Sequence, residues 1–188
     1  MIHTSLPIKF CFINEFDKHH ISNLDKNTSI IYRNYSTNDN KQLIQKINIY
    51  CKKEKRKFFI SNNIRLAINL NLDGAYLPSF NRRLNINIPN RRKKFLIIGS
   101  AHSVEEIKIK EKQGVEMIFL SPLFKTQKNN HFLDTIKFKL LTLNTNKKII
   151  ALGGINRNNV NKLNMLNLHG FAGISYFQNN DKIKHFKG

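Results

Sequence analysis

Two glycine-bearing turns in the last third of the chain have the composition of a phosphate site. Gly153-Gly154 and Gly173-Ile-Ser175 each close a short apolar run. A residue without a Cβ lets backbone N–H groups approach an anion closely, and a helix start just beyond adds its dipole. The spacing therefore predicts that Gly153, Gly154, Gly173, Ile174 and Ser175 hold a phosphate, against the plainer reading that the glycines only make tight turns. Ser121-Pro-Leu-Phe-Lys-Thr126 adds a rigid turn, an aromatic wall and hydroxyls. His102 precedes Ser103-Val-Glu-Glu106, a capping box that starts a helix and leaves Gly99–His102 in a turn. A histidine so placed can move a carbon-bound proton, or it can simply bond across its loop. His3, His19, His20, His131, His169 and His185 show no ligand-like spacing, with His19 and His20 expected on an exposed helix. Cys11 and Cys51 are far apart, lack a CxxC pattern and read as small buried apolar residues.

These residues need a scaffold that brings them to one end. Short β-branched or aromatic runs recur at Ile8–Ile13, Ser29–Arg33, Lys57–Ser61, Gly74–Pro78, Phe95–Gly99, Met117–Ser121, Ile149–Gly153 and Gly170–Ser175, with helical periods between them. Nearly continuous apolar strands are buried on both faces, as in a parallel sheet. Eight of them predict an α/β fold, a compact (β/α)8 TIM-type barrel whose ligands sit at the strand C-termini and whose phosphate follows the last two strands. Leu43, Ile44, Ile47, Tyr50 and Cys51 form one helical core face, and Leu133, Ile136, Leu140 and Leu141 another. A helix capped by Asn156 carries Val160, Leu163 and Leu166 inward. Asn81–Lys94, with Pro89 and many Asn and Arg residues, reads as a loop, so the fourth helix is abbreviated or absent; the eighth is cut short by the few residues left after Phe177.

The 188 residues suit a single domain over 1–188. With neither a leader pattern nor a run of 18 apolar residues, a soluble cytoplasmic protein is expected. The net charge of +20 points towards nucleic acid or anionic ligands. Its Lys and Arg residues are spread along an Asn- and Ile-rich chain, with local clusters only at Lys52–Lys57 and Arg91–Lys94, which is the pattern of a solvated surface.

The motifs resemble those of the thiamine phosphate synthase/TenI family. That family's Ser-x-His-Ser-x-Glu-Glu, Gly/Ser-Pro-aliphatic-Phe-x-Thr and Ala-Leu-Gly-Gly-Ile/Met patterns are matched in order by Ser100-Ala-His-Ser-Val-Glu-Glu106, Ser121-Pro-Leu-Phe-Lys-Thr126 and Ala151-Leu-Gly-Gly-Ile155. Leu72-Asp-Gly-Ala-Tyr-Leu77 is similar to the family's fourth strand. The likeness covers residues 58–177 well and the first 57 poorly.

The resemblance implies one of two chemistries. Synthases couple a pyrimidine diphosphate to thiazole phosphate with Mg²⁺ held by aspartates; the TenI branch shifts a double bond in the thiazole with a base and no metal. Arg33 matches the family's second-strand Arg, while the Gln and Lys of that motif are absent. Asn62 and Asn81 stand at the two metal-binding acid positions, and an amide cannot neutralise a cation as a carboxylate does. No cofactor or metal is therefore expected, and the tautomerase chemistry is preferred, with His102 as the base and Arg33, Ser100, Ser121, Pro122, Phe124 and Thr126 on the substrate. Asp73 or Glu116 would have to replace the lost acids if a metal were used. Lys125 and Lys128 are the substitutes for the family's Lys after the Pro-x-Phe turn. The partner expected is phosphorylated thiazole or thiamine phosphate. A non-catalytic binder of the same ligand is the alternative, a basic nucleic-acid-binding protein is the alternative from another class, and a homodimer would cover surface that a shortened barrel leaves bare.

Overall fold

Every one of the apolar runs becomes a strand, and all pair in parallel. They are β1 (Ile8–Ile13), β2 (Thr28–Tyr32), β3 (Phe58–Ser61), β4 (Gly74–Leu77), β5 (Leu96–Ala101), β6 (Met117–Leu120), β7 (Lys148–Leu152) and β8 (Gly170–Gly173). The computed structural model describes residues 8–35, 40–84, 86, 94–126 and 130–178. Lys128, His3, His185 and residues 91–93 of the second basic cluster lie outside them. The strands close in chain order into a barrel, β1 pairing with both β2 and β8. The fold is a (β/α)8 barrel of TIM type. Closure depends on Gly170, where a Cβ would stand 1.9 Å from the carbonyl oxygen of Ile8.

Alternate strand residues face two separate cores, which is why the runs read as continuously apolar. Inside the barrel lie Phe10, Phe12, Ile31, Phe59, Tyr76, Ile98, Met117, Phe119, Ile150 and Ala172. Their rings meet edge to face: Phe10–Phe119 at 4.9 Å, Phe12–Tyr76 at 5.3 Å and Tyr76–Phe119 at 5.5 Å between centroids, the arrangement the ring quadrupole favours. The outer core packs the other strand faces against the helices and includes Cys11, Ile30, Ile44, Ile47, Cys51 and Ile60. Both cysteines are buried, and burial pushes each thiol up to about 12. They are inert packing groups at neutral pH.

The helices are α1 (Lys18–Ser22), α2 (Lys41–Lys53), α3 (Ile64–Asn69), α4 (Val104–Lys112), α5 (Asp134–Thr142) and α6 (Ser175–Gln178). Short polar side chains start four of them. Asp17 accepts from His20 N, Asn40 from Leu43 N, Asn63 from Leu66 N and Ser103 from Glu106 N, each satisfying an N–H that the first turn leaves open. α1 carries His19 exposed and His20 half-buried. α2 buries Ile44, Ile47 and Cys51 along the face its spacing predicts. No helix lies between β4 and β5 among the described residues, and the last helix is the short α6. None of the helices is long and apolar enough to cross a membrane.

Three expectations are corrected. On α5, Ile136 and Leu140 are 73% and 58% exposed, whereas Phe138 is buried. Two residues along a helix is about 200° of rotation, so turning Phe138 inward carries both Ile136 and Leu140 outward. Leu133 and Leu141 remain half-buried against the core. The segment after Asn156 is a 3₁₀ helix, Val160–Met165, not an α-helix. Asn156 Oδ1 accepts from Asn158 N and Asn159 N at 2.9 and 3.2 Å, a local turn that competes with regular helix in this Asn-rich stretch. The strand ends also shift: β2 begins at Thr28, β5 runs on to Ala101, and β8 stops at Gly173.

Candidate active site at the barrel mouth

The C-terminal strand ends bring the glycine turns together with the Ser121-Pro122 turn. Gly153 and Gly154 both have positive φ, 94° and 68°, which L side chains rarely adopt. Space excludes a side chain too: a Cβ on Gly153 would lie 2.7 Å from Pro122 Cα, and one on Gly154 2.5 Å from the carbonyl oxygens of Phe124 and Lys125. Phe124 N donates to Gly153 O at 3.1 Å and Leu123 N to Leu152 O at 2.9 Å, so the loops after β6 and β7 are sewn together. Ser121-Pro122 is a cis peptide. Gly154 O accepts from Asn159 Nδ2 at 2.8 Å. Among the described residues, no acceptor is bonded to the N–H of Gly154 or of Ser175. Gly173 sits beside the same turn, its Cβ direction 3.9 Å from Ile155 O. Ile174 and Ser175 are exposed, while Phe124 and Thr126 are half-buried.

His102 stands over the next strands round the mouth. Its Nδ1 lies 2.7 Å from the carbonyl oxygen of Ser121 and 3.2 Å from Ser121 Oγ, and its Nε2 lies 3.0 Å from Ser79 Oγ. A carbonyl only accepts, so Nδ1 carries a proton; in the neutral ring Nε2 is then the atom with the lone pair, facing the Ser79 hydroxyl. The capping box is present with one change: Glu106 Oε2 accepts from the His102 N–H at 2.7 Å, one residue before Ser103, which orients the loop as well as the helix.

Between β3 and β4 the two amides at the acid positions face each other. Asn81 Nδ2 donates to Asn62 Oδ1 at 2.7 Å. Asn81 Oδ1 accepts from Arg83 N at 3.1 Å, so its orientation is set, and its oxygen points away from Asn62. Asn62 itself is held at φ 62°, a conformation Asn tolerates better than most residues. Tyr35, 55% exposed, bonds Ser61 Oγ at 2.9 Å and meets the 61% exposed Phe80 edge to face at 5.6 Å. Below them, the Arg33 guanidinium lies 4.6 Å over the Phe12 ring, a cation–π contact. Ser100 is buried and bonds the Tyr76 side chain, whose phenol burial pushes up to about 12.

Lys110 and Gln113 were not singled out by the sequence, since on a charged helix a lysine reads as solvated. Both are buried. Lys110 Nζ donates to Pro78 O and Asn81 O at 2.8 Å and to Gln113 Oε1 at 2.9 Å. Gln113 Nε2 donates to Asn81 O and Arg83 O, both at 2.9 Å. The one available signal was Gly99, which leaves room for the lysine stem: a Cβ there would be 3.0 Å from Lys110 Cδ.

The substitute acids are at the other end of the barrel. Asp73 Oδ2 accepts from Phe58 N at 2.9 Å and Glu116 Oε2 from Ile97 N at 2.7 Å, so both tie down strand starts. Among the described residues, no group of three or more His, Cys, Asp or Glu side chains could hold a metal ion. The amide pair fits Mg²⁺ poorly as well, offering neutral oxygens that are already committed to N–H donors.

Comparisons with known proteins agree with this frame. Residues 22–177 match the family model described as "Thiamine monophosphate synthase". A thiamine-phosphate synthase of Pelagibacter ubique is 32% identical over 157 residues, covering 79% of this chain and 73% of the relative. One from Prochlorococcus marinus is 31% identical over 156 residues, covering 79% of this chain but 44% of the relative, so the chain spans less than half of that protein. Among solved structures, thiamine phosphate pyrophosphorylase from Pyrococcus furiosus superposes with a TM-score of 0.69 at 16% identity, over 96% of this chain and 94% of that one. The citrate synthase SbnG does so at 0.65 and 10% identity, over 95% and 91%. Likeness at such identities concerns the fold alone, and a barrel of this type hosts many chemistries.

Proposed function

The chain belongs to the thiamine monophosphate synthase family, and on that basis we propose that it acts on a phosphorylated thiazole in thiamine biosynthesis, by metal-free isomerisation of the ring. The observation that carries the preference for isomerisation over coupling is the Asn81–Asn62 hydrogen bond of 2.7 Å. An Asn81 amide that donates to the Asn62 amide leaves no anionic cradle for a metal-bound diphosphate, so no step is routed through Mg²⁺.

In this reading the phosphate lies against the open N–H groups of Gly154 and Ser175, with Gly153, Gly173 and Ile174 shaping the turn, where N–H donors and the absence of side chains favour an anion. Phe124 walls the site. His102 is the base: the bond from Nδ1–H to Ser121 O at 2.7 Å keeps the lone pair on Nε2, as the partner of one ring nitrogen sets the role of the other. Ser79 turns aside, Nε2 takes a proton from the thiazole, the double bond shifts, and the same nitrogen returns the proton at the other end. The test is proton NMR of the thiazole phosphate in D₂O with the protein. Deuterium entering the ring system together with isomer conversion is expected, and unchanged spectra over days would remove the reaction.

One observation favours a non-catalytic binder as the second reading. Both ring nitrogens of His102 are engaged by the protein itself, Nε2 by Ser79 Oγ at 3.0 Å. Saturable binding of the thiazole phosphate without exchange would select it.

A further inference from the structure

A lysine with no solvent exposure is expensive unless its ammonium is fully bonded. Lys110 has 0% exposure and three acceptors at 2.8 to 2.9 Å, two of them on the segment after β4. Its stem crosses the outside of β5 where Gly99 has no side chain, a Cβ there standing 3.0 Å from Lys110 Cδ. Gln113 adds donors to Asn81 O and Arg83 O and a longer contact, 3.3 Å, to Asn81 Oδ1. The same Asn81 then donates to Asn62 at the end of the neighbouring strand β3.

We infer that Lys110, working with Gln113, is the positioning residue of the β4 side of the mouth: it clasps the Pro78–Arg83 segment and sets the aim of Asn81. It touches no ligand and acts through Asn81. Its functional weight rests on the mouth being the ligand site, whereas the exchange measurement below does not. The clasp is also sensitive to protonation. Burial pulls the Lys110 ammonium down to about 8, with Arg82 adding to the shift and Glu106 opposing it; Arg82 is in turn paired with Glu105 at 3.0 Å. A neutral amine has two N–H donors for three acceptors, but it no longer has to be held out of water as a cation, and that cost is what lowers its value in the closed clasp; the clasp therefore tightens as pH rises through that value.

Amide hydrogen exchange followed by NMR tests this. In the wild type, the Asn81 side-chain amide and the Arg83 backbone amide should be protected at neutral pH and gain protection, beyond the intrinsic pH dependence, in a step that begins near 8 and runs toward 10.5. In Lys110→Met they should exchange at least about 10-fold faster at neutral pH with no step, while barrel-strand amides change far less, as for local opening. Gln113→Met should loosen the same two groups and keep the step, since Lys110 remains. Absence of the step in the wild type, or acceleration spread evenly over the strands of Lys110→Met, would overturn the inference. If Lys110→Met does not fold, the wild-type step and Gln113→Met decide it.

Discussion

Asn81 donates to Asn62 at 2.7 Å between the ends of adjacent strands β3 and β4, and the Arg83 N–H fixes which end of Asn81 does the donating. Replacing both by carboxylates would set two anions face to face, stable only if a cation or proton sits between them. Asn62→Asp/Asn81→Asp should therefore gain Mn²⁺ binding, measured by EPR, where the wild type shows none. The wild type's ligand binding should be indifferent to EDTA. Wild-type binding that EDTA abolishes would contradict the metal-free reading.

His102→Asn should lower thiazole isomerisation by roughly 10²–10⁴-fold, the usual worth of a positioned acid–base group, with ligand affinity nearly unchanged. Ser79→Ala should not share that loss, because the serine only occupies the lone pair that the reaction needs. Equal turnover in wild type and His102→Asn would reduce the histidine to a loop-holding residue.

From the sequence, a bulky residue at Gly154 is expected to weaken phosphate binding and leave the fold largely intact. The structure revises the second half. With φ 68° and two carbonyl oxygens 2.5 Å from the Cβ position, even Gly154→Ala should separate the loops after β6 and β7. Strain of this kind is worth about 1–3 kcal/mol, so urea unfolding should show a loss of that order together with the loss of phosphate binding.

Lys110 makes a prediction about stability as well as aim. Its value in the fold, about 8, lies below the ordinary 10.5, so in that window the unfolded chain binds more protons than the folded one. Stability should accordingly rise between those pH values from this group. Comparing urea unfolding of wild type and Lys110→Met at the two ends of the window isolates it: the variant should lack the rise.

α5 separates a buried aromatic from exposed aliphatics. Phe138→Ala should cost about 3–5 kcal/mol, as for a large core side chain, and Ile136→Lys no more than about 0.5 kcal/mol, both from denaturant midpoints. A large loss in Ile136→Lys would mean that something covers that face in solution.

Periodicity and side-chain type made the barrel legible before any contact was known. Runs such as Phe58–Ser61 and Met117–Leu120 are apolar on both faces, as a two-sided parallel strand requires, and eight of them at regular spacing suggested the closed barrel that forms. The Ser103 cap and the Gly153-Gly154 turn were legible for the same reason: each depends on one residue's local chemistry. Where distant segments compete, the outcome was settled by packing in three dimensions. α5 offered two apolar faces, and the burial of Phe138 chose between them. Lys110 looked solvated until Pro78 and Asn81 carbonyls, about 30 residues away, surrounded its ammonium. Asp73 and Glu116 looked available as acids until strand direction put them at the far end, bonded to Phe58 and Ile97. A hydrogen bond between remote residues leaves no period in the sequence, because its energy depends on where the chain returns, and that is fixed only once the barrel has closed.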